Sequence, residues 1–317
     1  IEKPVTVITP SVGSSKLIDA VESVSKQTYK CKHLIVIDGR QYATPVFEQL
    51  GQPDREGTQV VITPENTGKT GGNFYGHRIY AAYPHLINSD YILFLDEDNW
   101  YEPNHVETLV KTIEAKNLDF AYSLRQIYSN DRRFRCNDNC ESLGKWPIFM
   151  SRKSPHGEQY LIDTSSFCFR KEFIQKTCHY WHAGWGGDRQ YLYAVKDHAN
   201  YGTNGKHTLC YRLDGNANSV TSDFFNEGNK INDKMSELDN ANITALLIKS
   251  DIDHAKKITE TGFSVAPDPT QANFRLVHQM FLEIEQSHLE YEELAKAAFA
   301  SQSPALLDQI TSKHKQI

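Results

Sequence analysis

Short, nearly continuous apolar runs recur through the first hundred residues, with helical segments between them. Runs of this kind are typical of strands that are covered on both faces of a sheet. Their alternation with helices predicts an α/β fold, built on a mostly parallel central sheet that is flanked by helices. The four runs are "VTVIT" at residues 5–9, "HLIVID" at 33–38, "QVVIT" at 59–63 and "DYILFLD" at 90–96.

The helical segments show either apolar residues at helical spacing or a typical starting residue. The first follows the loop "PSVGSS", and the second spans residues 74–83. In the third, Pro103 is expected at the first helical position, where proline is favoured. The periodic residues are Leu17, Ile18, Val21 and Val24 in the first helix and Val106, Leu109, Val110 and Ile113 in the third.

The pattern changes after about residue 120. "DFAYSLRQIY" and the alternating segment at residues 159–173 predict two further strands, and a helix start follows the second. A glycine-rich turn then precedes a helix whose first turn holds Asp188, and "HTLCYR" predicts a last strand. We interpret the polar, basic residues 129–158 as a long loop or hairpin over the site.

From about residue 236 the chain is predicted to be helical, which gives a domain at 1–235 and a C-terminal helical extension at 236–317. Residues 274–300 contain five Glu but one Arg and one Lys, so anionic lipid would repel this segment. We expect it to pack against the main domain, a partner domain or a second copy in a homo-oligomer. Its apolar stripe consists of Phe274, Val277, Phe281, Ile284 and Leu289.

Charge and composition narrow the classes of partner. The 317 residues carry a formal net charge of −6, so no global positive field attracts nucleic acid. No apolar run approaches the roughly 18–20 residues that span a bilayer, and we expect a cytoplasmic protein, at most peripheral to the inner face of the membrane. The six scattered cysteines favour reduced thiols, and the close pair Cys136 and Cys140 lacks the further ligands that structural zinc needs.

Three of the four apolar runs end in residues that can bind a ligand. In parallel sheets, ligands bind beyond the carboxyl ends of the strands. The sequence therefore predicts a single binding site at this edge of the sheet. The residues concerned are Thr9 and Ser11 after the first run, Asp38 and Gly39 after the second, and residues 96–99 after the fourth.

The acidic run at residues 96–98 has three interpretations. It can be a solvated loop, although three neighbouring acids beside an apolar run repel one another unless a cation is present. Asp96 and Asp98 point the same way in an extended segment, and could bind Mg²⁺ or Mn²⁺ together with substrate phosphate oxygens. The third is a phosphatase of the haloacid dehalogenase type with Asp96 as nucleophile. That motif usually opens a chain, which favours the metal interpretation.

The loop "NTGKTGG" at residues 66–72 looks like part of a phosphate-binding loop. A Walker-type NTPase would need glycine five residues before Gly68, where this chain has Thr63. A glycine-rich loop before a helix can still bind phosphate through backbone N–H groups, with Lys69 or Arg78 adding charge. An ordinary solvated turn is the alternative.

The ordered set of motifs resembles the inverting family 2 glycosyltransferases, which have a GT-A fold and a DXD motif. The resemblance covers about residues 4–222, through the first strands, "NTGKTGG", "ILFLDEDNW", "TSSFCFRKEF" and "GWGGDRQYL". It implies a nucleotide-sugar-binding half at 1–100 and an acceptor-binding half at 101–235. It also implies metal-dependent transfer of a sugar, expected from a UDP-sugar, to a saccharide or lipid-linked saccharide, as in bacterial surface polysaccharide or glycan synthesis.

The resemblance also assigns roles to individual residues. Asp98 and Asp96 match the DXD motif that holds Mn²⁺ or Mg²⁺. Asp188 matches the general base, although the residue before it is Gly187, where the family often has Glu. Asp214 stands where the family often has His, and it is a further candidate metal ligand. The residues implied at the donor nucleotide are Thr9, Pro10, Ser11, Asp38, Gly39, Asn66, Lys69, Asn73, Asp96 and Glu97.

Three aromatic residues flank Asp188, namely Trp181, His182 and Trp185, and are candidates to contact the acceptor sugar. For Trp181, packing in the core is at least as good an interpretation. One alternative to a complete enzyme is a nucleotide-sugar-binding module of a larger enzyme with little activity alone. The phosphatase is the less favoured alternative.

Overall fold

The computed structural model of this chain describes residues 2–51, 57–68, 74–146, 159–213 and 220–236. Lys69, Asn73 and Asp214 lie outside these ranges, as do residues 147–158 and the helices predicted beyond residue 236. Contacts divide the chain into the units Ile1–Asp233 and Lys234–Ile317. Everything below concerns the first unit, together with the end of its last helix.

Four parallel strands form the amino-terminal part of the sheet, as predicted. The strands are β1 Val5–Ser11, β2 Lys32–Ile37, β3 Thr58–Ile62 and β4 Tyr91–Phe94. They lie in the order β3, β2, β1, β4, so their carboxyl ends share one edge. The helices between them are α1 Leu17–Ser25, α2 Ala43–Leu50 and α3 His77–Ala82.

Both faces of β1, β2 and β4 are buried, which explains their continuous apolar sequences. Successive side chains of a strand point to opposite faces. In β4, Tyr91 and Leu93 pack with Val5 and Val7 on one face, whereas Ile92 and Phe94 pack with Ile8 on the other. A strand with water on one face would alternate apolar with polar residues instead.

The remainder of the sheet is mixed. Its strands are β5 Trp100–Tyr101, β6 Phe120–Tyr128, β7 Phe134–Asn137, β10 Phe167–Arg170 and β11 Tyr201–Arg212. Strand β10 lies antiparallel between β4 and β6, β7 pairs antiparallel with β6, β11 runs parallel to β6, and β5 runs antiparallel to β11. Two further strands, β8 Gly144–Lys145 and β9 Tyr160–Leu161, pair with each other in a separate sheet. The helices are α4 His105–Lys116, α5 Lys171–Thr177, α6 Gly187–Val195 and α7 Ser222–Ser236.

Two predicted helix starts are wrong. Helix α4 begins at His105, two residues after Pro103, and the side-chain oxygen of Gln27 accepts a hydrogen bond from Val106 N at 3.0 Å. The Gln27 side chain thus satisfies one of the free N–H groups at the start of the helix. Pro103 lies before this start and is not the first helical residue. Helix α3 begins at His77 rather than residue 74, because Tyr75 has a left-handed backbone with φ of 50°.

The six cysteines all lie in described residues, and no disulfide joins them. Within the ranges that the structure covers, no helix is both long enough and apolar enough to cross a membrane.

Candidate active site

The acidic loop at residues 96–99 follows β4 at the carboxyl edge of the sheet, beside the ends of β1 and β2. Leu95 N donates to Ile8 O at 2.9 Å, which carries the pairing with β1 one residue beyond β4. The Ser11 hydroxyl donates to Glu97 at 2.6 Å, and Asp38 N donates to Ser11 O at 2.8 Å. The structure thus brings the three predicted strand ends into one site.

Asp96 is half-buried, and both of its carboxylate oxygens have hydrogen-bond partners. Tyr80 donates its hydroxyl to Oδ1 at 2.9 Å, and Ser165 donates to Oδ2 at 3.3 Å. Burial raises the pKa of Asp96 to about 8, and the negative charges of Asp163 and Asp98 add to the shift. Both oxygens of Asp96 are therefore held in place by donors from α3 and from the turn before β10.

Glu97 holds the loop between β1 and α1. Its carboxylate accepts hydrogen bonds from the Ser11 hydroxyl at 2.6 Å, Ser14 N at 3.1 Å and Val12 N at 3.3 Å. Glu97 thus shapes the wall of the site through residues 11–14, and its predicted contact with the donor stays a prediction.

Asp98 is the least constrained acid of the loop. It is half-buried, and among the described residues no side chain donates a hydrogen bond to its carboxylate. Burial raises its pKa, and Asp163 adds to the shift, whereas the charges of Lys16 and Arg212 oppose it. A desolvated carboxylate with open lone pairs is suited to bind a cation.

The donor set fits a hard divalent cation that also binds phosphate. Within the described ranges, no three His, Cys, Asp or Glu side chains converge on one point, so a cage made by protein ligands alone is not present there. Mg²⁺ typically keeps several waters and takes one or two carboxylates plus substrate phosphates. Asp98 and Asp96 can supply those carboxylates, and their mutual repulsion would be relieved by the cation.

A buried ion cluster lies behind the acidic loop. Arg125, only 3% exposed, donates to Asp138 at 2.7 Å and to Asp163 at 2.8 Å, and its remaining terminal nitrogen donates to Glu141. Three carboxylates thus surround one cation. The negative charge of Asp163 also acts on the site, because it adds to the effect of burial in raising the pKa of Asp96, Asp98 and Asp188.

Asp188 lies in the first turn of α6, as predicted, and is half-buried. Arg189 N donates to its carboxylate at 2.7 Å, as is common for an acid at a helix start. Burial raises the pKa of Asp188 to about 7, with a further contribution from Asp163. A base with a pKa near the operating pH is effective in proton transfer.

The glycine that departs from the family pattern has a packing reason. A Cβ built on Gly187 would lie 2.5 Å from Nδ1 of His77. His77 is itself buried, and the same Nδ1 lies 2.9 Å from Ala183 O. The loop before Asp188 is therefore packed on the first residue of α3, and residue 187 has no room for a glutamate.

Asp38 is buried and organises the turn that follows β3. Its carboxylate accepts hydrogen bonds from Thr67 N at 2.7 Å, Gly68 N at 3.2 Å and the Asn66 amide at 3.3 Å. Gly39 follows with φ of 115°, a conformation that favours glycine. Asp38 and Asn66 thus lie together, with the N–H groups of this turn directed at the carboxylate.

Thr9 and Pro10, predicted to contact the donor, have buried side chains. The Thr9 hydroxyl lies 2.8 Å from Nε2 of His33. Pro10 packs so closely on Gly76 that a Cβ there would come within 2.7 Å of Pro10 Cγ. Ser11 is equally buried, with its hydroxyl on Glu97, so the contact of these three residues with the donor stays a prediction.

The three aromatic candidates near Asp188 separate clearly. Trp181 is 0% exposed and stacks on Tyr191 with ring centroids 4.8 Å apart, so it is a core residue that cannot stack on a sugar. His182 is exposed, and its ring centroid lies 5.2 Å from that of Phe74. Trp185 is 81% exposed, which leaves His182 and Trp185 as the acceptor candidates.

The sequence gives little sign of several residues that complete the site. Asp163 and Ser165 lie within or beside the recognised segment "TSSFCFRKEF", but no spacing rule marks them. Tyr80 resembles an ordinary core aromatic, and Arg125 is one arginine within a strand. The only signal for Arg125 is its position: a charged residue in the middle of an apolar strand needs buried partners.

The sequence matches the family model for glycosyl transferase family 2 over residues 6–176. Comparison with curated proteins gives no match. Among solved structures, S. aureus TarS 1–349 superposes with a TM-score of 0.50 at 12% identity, covering 90% of this chain and 82% of that chain. TarS 1–349 in complex with UDP-GlcNAc has a TM-score of 0.50 at 14% identity, covering 89% and 81%.

GalNAc-T7 with UDP, GalNAc and Mn²⁺ gives a TM-score of 0.51 at 13% identity, covering 67% of this chain and 44% of that chain. At these identities the likeness concerns the fold alone. It confirms the predicted GT-A fold, an α/β sheet flanked by helices.

Proposed function

The chain belongs to glycosyl transferase family 2, and we propose that it is an inverting, metal-dependent enzyme that transfers a sugar from a UDP-sugar to a saccharide or lipid-linked saccharide. One observation carries the proposal. Asp96 and Asp98 follow β4 at the edge of the sheet where the hydrogen-bonded ends of β1 and β2 also lie, and burial, together with the charge of Asp163, raises the pKa of these two acids and of Asp188. Clusters of perturbed acids of this kind are typical of catalytic sites.

Each acid has a role that fits its surroundings. Asp98 and Asp96 would hold Mn²⁺ or Mg²⁺, which when bound stabilises the charge of a departing diphosphate as a Lewis acid. Asp188 takes the proton of the acceptor hydroxyl while that oxygen bonds to the anomeric carbon. The bond from this carbon to the phosphate oxygen breaks, and the nucleoside diphosphate leaves with the electron pair. A single displacement inverts the anomeric carbon.

The donor side of the site consists of Ser11, Asp38 and the turn at residues 66–68. The N–H groups and amide of this turn are ordered by Asp38, which supports a contact with the base of the nucleotide. UDP is our first choice because TarS 1–349 was solved with UDP-GlcNAc and GalNAc-T7 with UDP. Gly39, next to Asp38, belongs to the same donor side. Lys69 and Asn73, which come after residues 66–68 in the sequence, are proposed donor contacts as well.

The acceptor side consists of Asp188 with His182 and Trp185. Exposed aromatic rings beside the base can stack on the apolar face of a sugar, which supports a saccharide acceptor. Glycan synthesis at a bacterial surface is the process in which we place this reaction.

The experiment combines donor binding with transfer. Thermal unfolding is measured with UDP-, GDP- and CMP-sugars, with Mn²⁺ or with EDTA, since a ligand of the folded state raises the melting temperature. We expect a UDP-sugar to raise it with Mn²⁺ only. The best donor is then tested for transfer to a panel of saccharides, with Asp98→Asn as the inactive variant and exposed Asp197→Asn as its control.

Donor binding without turnover on every acceptor would instead indicate a nucleotide-sugar-binding module. Absence of any nucleotide effect in wild type, or an active Asp98→Asn variant, would contradict the proposal.

A further inference from the structure

A chain of buried hydrogen bonds connects the Arg125 cluster to the acidic loop. We propose that Arg125, Asp163 and Ser165 form a brace that fixes the loop at residues 96–99, and that Ser165 is a positioning residue for Asp96 and Asp98. The proposal rests on the function given above for these two acids. The brace itself, however, is a property of the folded chain and can be tested separately.

Arg125 is the fixed end of the brace. Its planar guanidinium donates to Asp138, Asp163 and Glu141 at once, and it lies over the ring of Tyr211 at 4.5 Å. Such a fork is rigid, because any rotation would leave a buried charge unpaired. Lysine, with a single ammonium group, could not keep the three contacts in place.

Asp163 links Arg125 to the turn that follows, Thr164–Ser166. One of its carboxylate oxygens accepts from Arg125, and the other accepts from Ser165 N at 2.9 Å. Its own N–H donates to the Ser142 hydroxyl at 2.9 Å, and its carbonyl accepts from Ser166 N at 2.9 Å. Asp163 therefore caps the short turn Thr164–Ser166 with backbone and side chain together.

The Ser165 hydroxyl is the point where the brace meets the acidic loop. It accepts hydrogen bonds from Asp96 N at 3.0 Å and from the Asn99 amide at 3.3 Å, and it donates to Asp96 Oδ2 at 3.3 Å. Asn99 is held from its other side, since its Oδ1 accepts from Arg212 N at 3.0 Å. One fully buried hydroxyl thus pins the first and last residues of the loop.

The consequence concerns Asp98, which lies between the two pinned residues. Its carboxylate has no donor among the described side chains and is hydrogen-bonded to its own backbone N–H, so its direction follows the loop backbone, whose two ends are held by Ser165. Carboxylates that bind a small divalent cation must meet narrow limits of distance and angle. Supporting hydrogen bonds of this kind commonly change metal affinity or activity by about 10–100-fold when removed.

The neighbouring residue offers a matched control. Ser166 is also fully buried, but within the described part of the chain its hydroxyl has no hydrogen-bond partner. Ser166→Ala therefore removes a buried hydroxyl without breaking the brace, whereas Ser165→Ala removes one that holds three bonds. Arg125→Lys tests the fixed end, although the loss of buried pairs can unfold that variant.

The first readout does not depend on function. Hydrogen exchange of the Asp96 amide is measured in the full chain without ligand, because this N–H is bonded to the Ser165 hydroxyl. We expect Ser165→Ala to speed its exchange by about tenfold or more relative to both wild type and Ser166→Ala. Equal exchange in the two serine variants would overturn the brace, whatever the enzyme does.

The second readout tests positioning. UDP binding is measured by calorimetry with Mn²⁺ and with EDTA, and transfer is measured as a function of Mn²⁺ concentration. We expect Ser165→Ala to weaken Mn²⁺-dependent UDP binding and to raise the half-saturating Mn²⁺ concentration, each by about 10–100-fold. Ser166→Ala should stay within about twofold of wild type, because its hydroxyl holds no bond in the described structure.

A purely structural role for Ser165 would lower the melting temperature and the active fraction, but leave the Mn²⁺ requirement of the active molecules unchanged. That result would overturn the positioning role. If wild type binds no UDP while exchange at Asp96 responds as expected, the proposed function fails and the brace stands. If wild type binds UDP and Ser165→Ala binds it equally well, the positioning role fails and the function stands.

Discussion

At the scale of single residues, the site depends on acids whose protonation is changed by their surroundings. Asp188 and Asp96 have pKa values raised to about 7 and about 8, in both cases mainly by burial. Both shifts disfavour the charged form at neutral pH. The two residues serve different purposes, so the shifts have different measurable effects.

Asp188 predicts the pH dependence of transfer. A general base acts in its ionised form, so kcat/KM should rise by about tenfold per pH unit below about 7 and level off above it. The measurement is the pH profile of kcat/KM at saturating Mn²⁺. A profile that is flat from pH 5 to 8 would show that Asp188 is not the base whose ionisation controls the rate.

Removing the base should separate catalysis from binding. Asp188→Asn keeps the size of the side chain but cannot accept the proton, so we expect kcat to fall by about 10²–10⁴-fold. UDP affinity should be unchanged, because Asp188 is not assigned to the nucleotide. Steady-state kinetics and calorimetry measure the two quantities, and Asp197→Asn is the control for an exposed carboxylate. A parallel loss of UDP affinity would assign Asp188 to donor binding.

Asp96 predicts the pH dependence of stability. Between pH values of about 4 and about 8, the folded protein retains a proton on Asp96 that the unfolded chain has released. The free energy of unfolding contributed by this group therefore decreases as pH rises through that window. In EDTA, Asp96→Asn should flatten the decrease and raise the melting temperature at pH 8. A variant with the same pH dependence as wild type would contradict the shift.

Local sequence is sufficient for some site residues and insufficient for others. Asp98 follows an apolar strand, and Asp188 follows a glycine-rich turn, so short-range pattern marks both. Arg125 has no such mark, because its partners Asp138, Glu141 and Asp163 come from separate segments. Burial likewise excludes Trp181 as an acceptor contact, because this residue flanks Asp188 in sequence but is buried in the core.

At the scale of elements, the contact between α3 and the loop before α6 fixes the position of Asp188, the proposed base. The buried ring of His77 fills the space beside Gly187. Because the ring also bonds Ala183 O, both ends of this loop rest on one side chain. The family pattern alone would have suggested glutamate at residue 187; the packing shows why glycine is there.

This contact can be tested by adding one methyl group. Gly187→Ala places a Cβ 2.5 Å from the His77 ring, and overpacking of this kind lowers the free energy of unfolding by about 1–3 kcal/mol. Gly202→Ala is the control, because its Cβ would lie 3.7 Å from Leu118 in ordinary contact. Denaturant unfolding measures both. Adding His77→Ala should reduce the cost of Gly187→Ala, and equal costs in both backgrounds would contradict the contact.

The elements themselves are predictable to different degrees. Continuous apolar runs identify β1, β2 and β4, because strands buried on both faces show no polar alternation. The apolar run also marks β3, although Val61 and Ile62 of that strand are exposed. The start of α4 is not predictable from Pro103, since the side chain of Gln27, in a distant segment, accepts a hydrogen bond from Val106 N in the first turn. Strand order is also hidden, because periodicity does not say which strands are neighbours.

At the scale of the whole molecule, strand β10 joins the two parts of the sheet. It comes late in the chain but lies between β4 and β6, where it pairs with both. Phe169 of β10 packs on Phe94 of β4 with ring centroids 5.3 Å apart. The predicted nucleotide-sugar-binding half, residues 1–100, therefore depends on the rest of the chain for one neighbouring strand and for part of its core.

A fragment of residues 1–116 should therefore fail to fold cooperatively. It would keep β1 to β4, but β4 would lose its antiparallel neighbour and expose Ile92 and Phe94, which are fully buried in the whole chain. We expect a broad thermal transition by circular dichroism, whereas residues 1–236 retain the pairing. A sharp two-state transition in the short fragment would contradict this expectation.

The position of β10 also has a consequence for how the enzyme comes into being during synthesis. Strand β4 and its acidic loop emerge from the ribosome long before β10 and Ser165 do, and contacts between distant segments form slowly. The nascent chain must therefore carry its acids and an open strand edge for some time before they are secured. Chaperone dependence and aggregation during expression should respond to changes in β10 more than to changes of similar size in β3, which lies at the rim of the sheet.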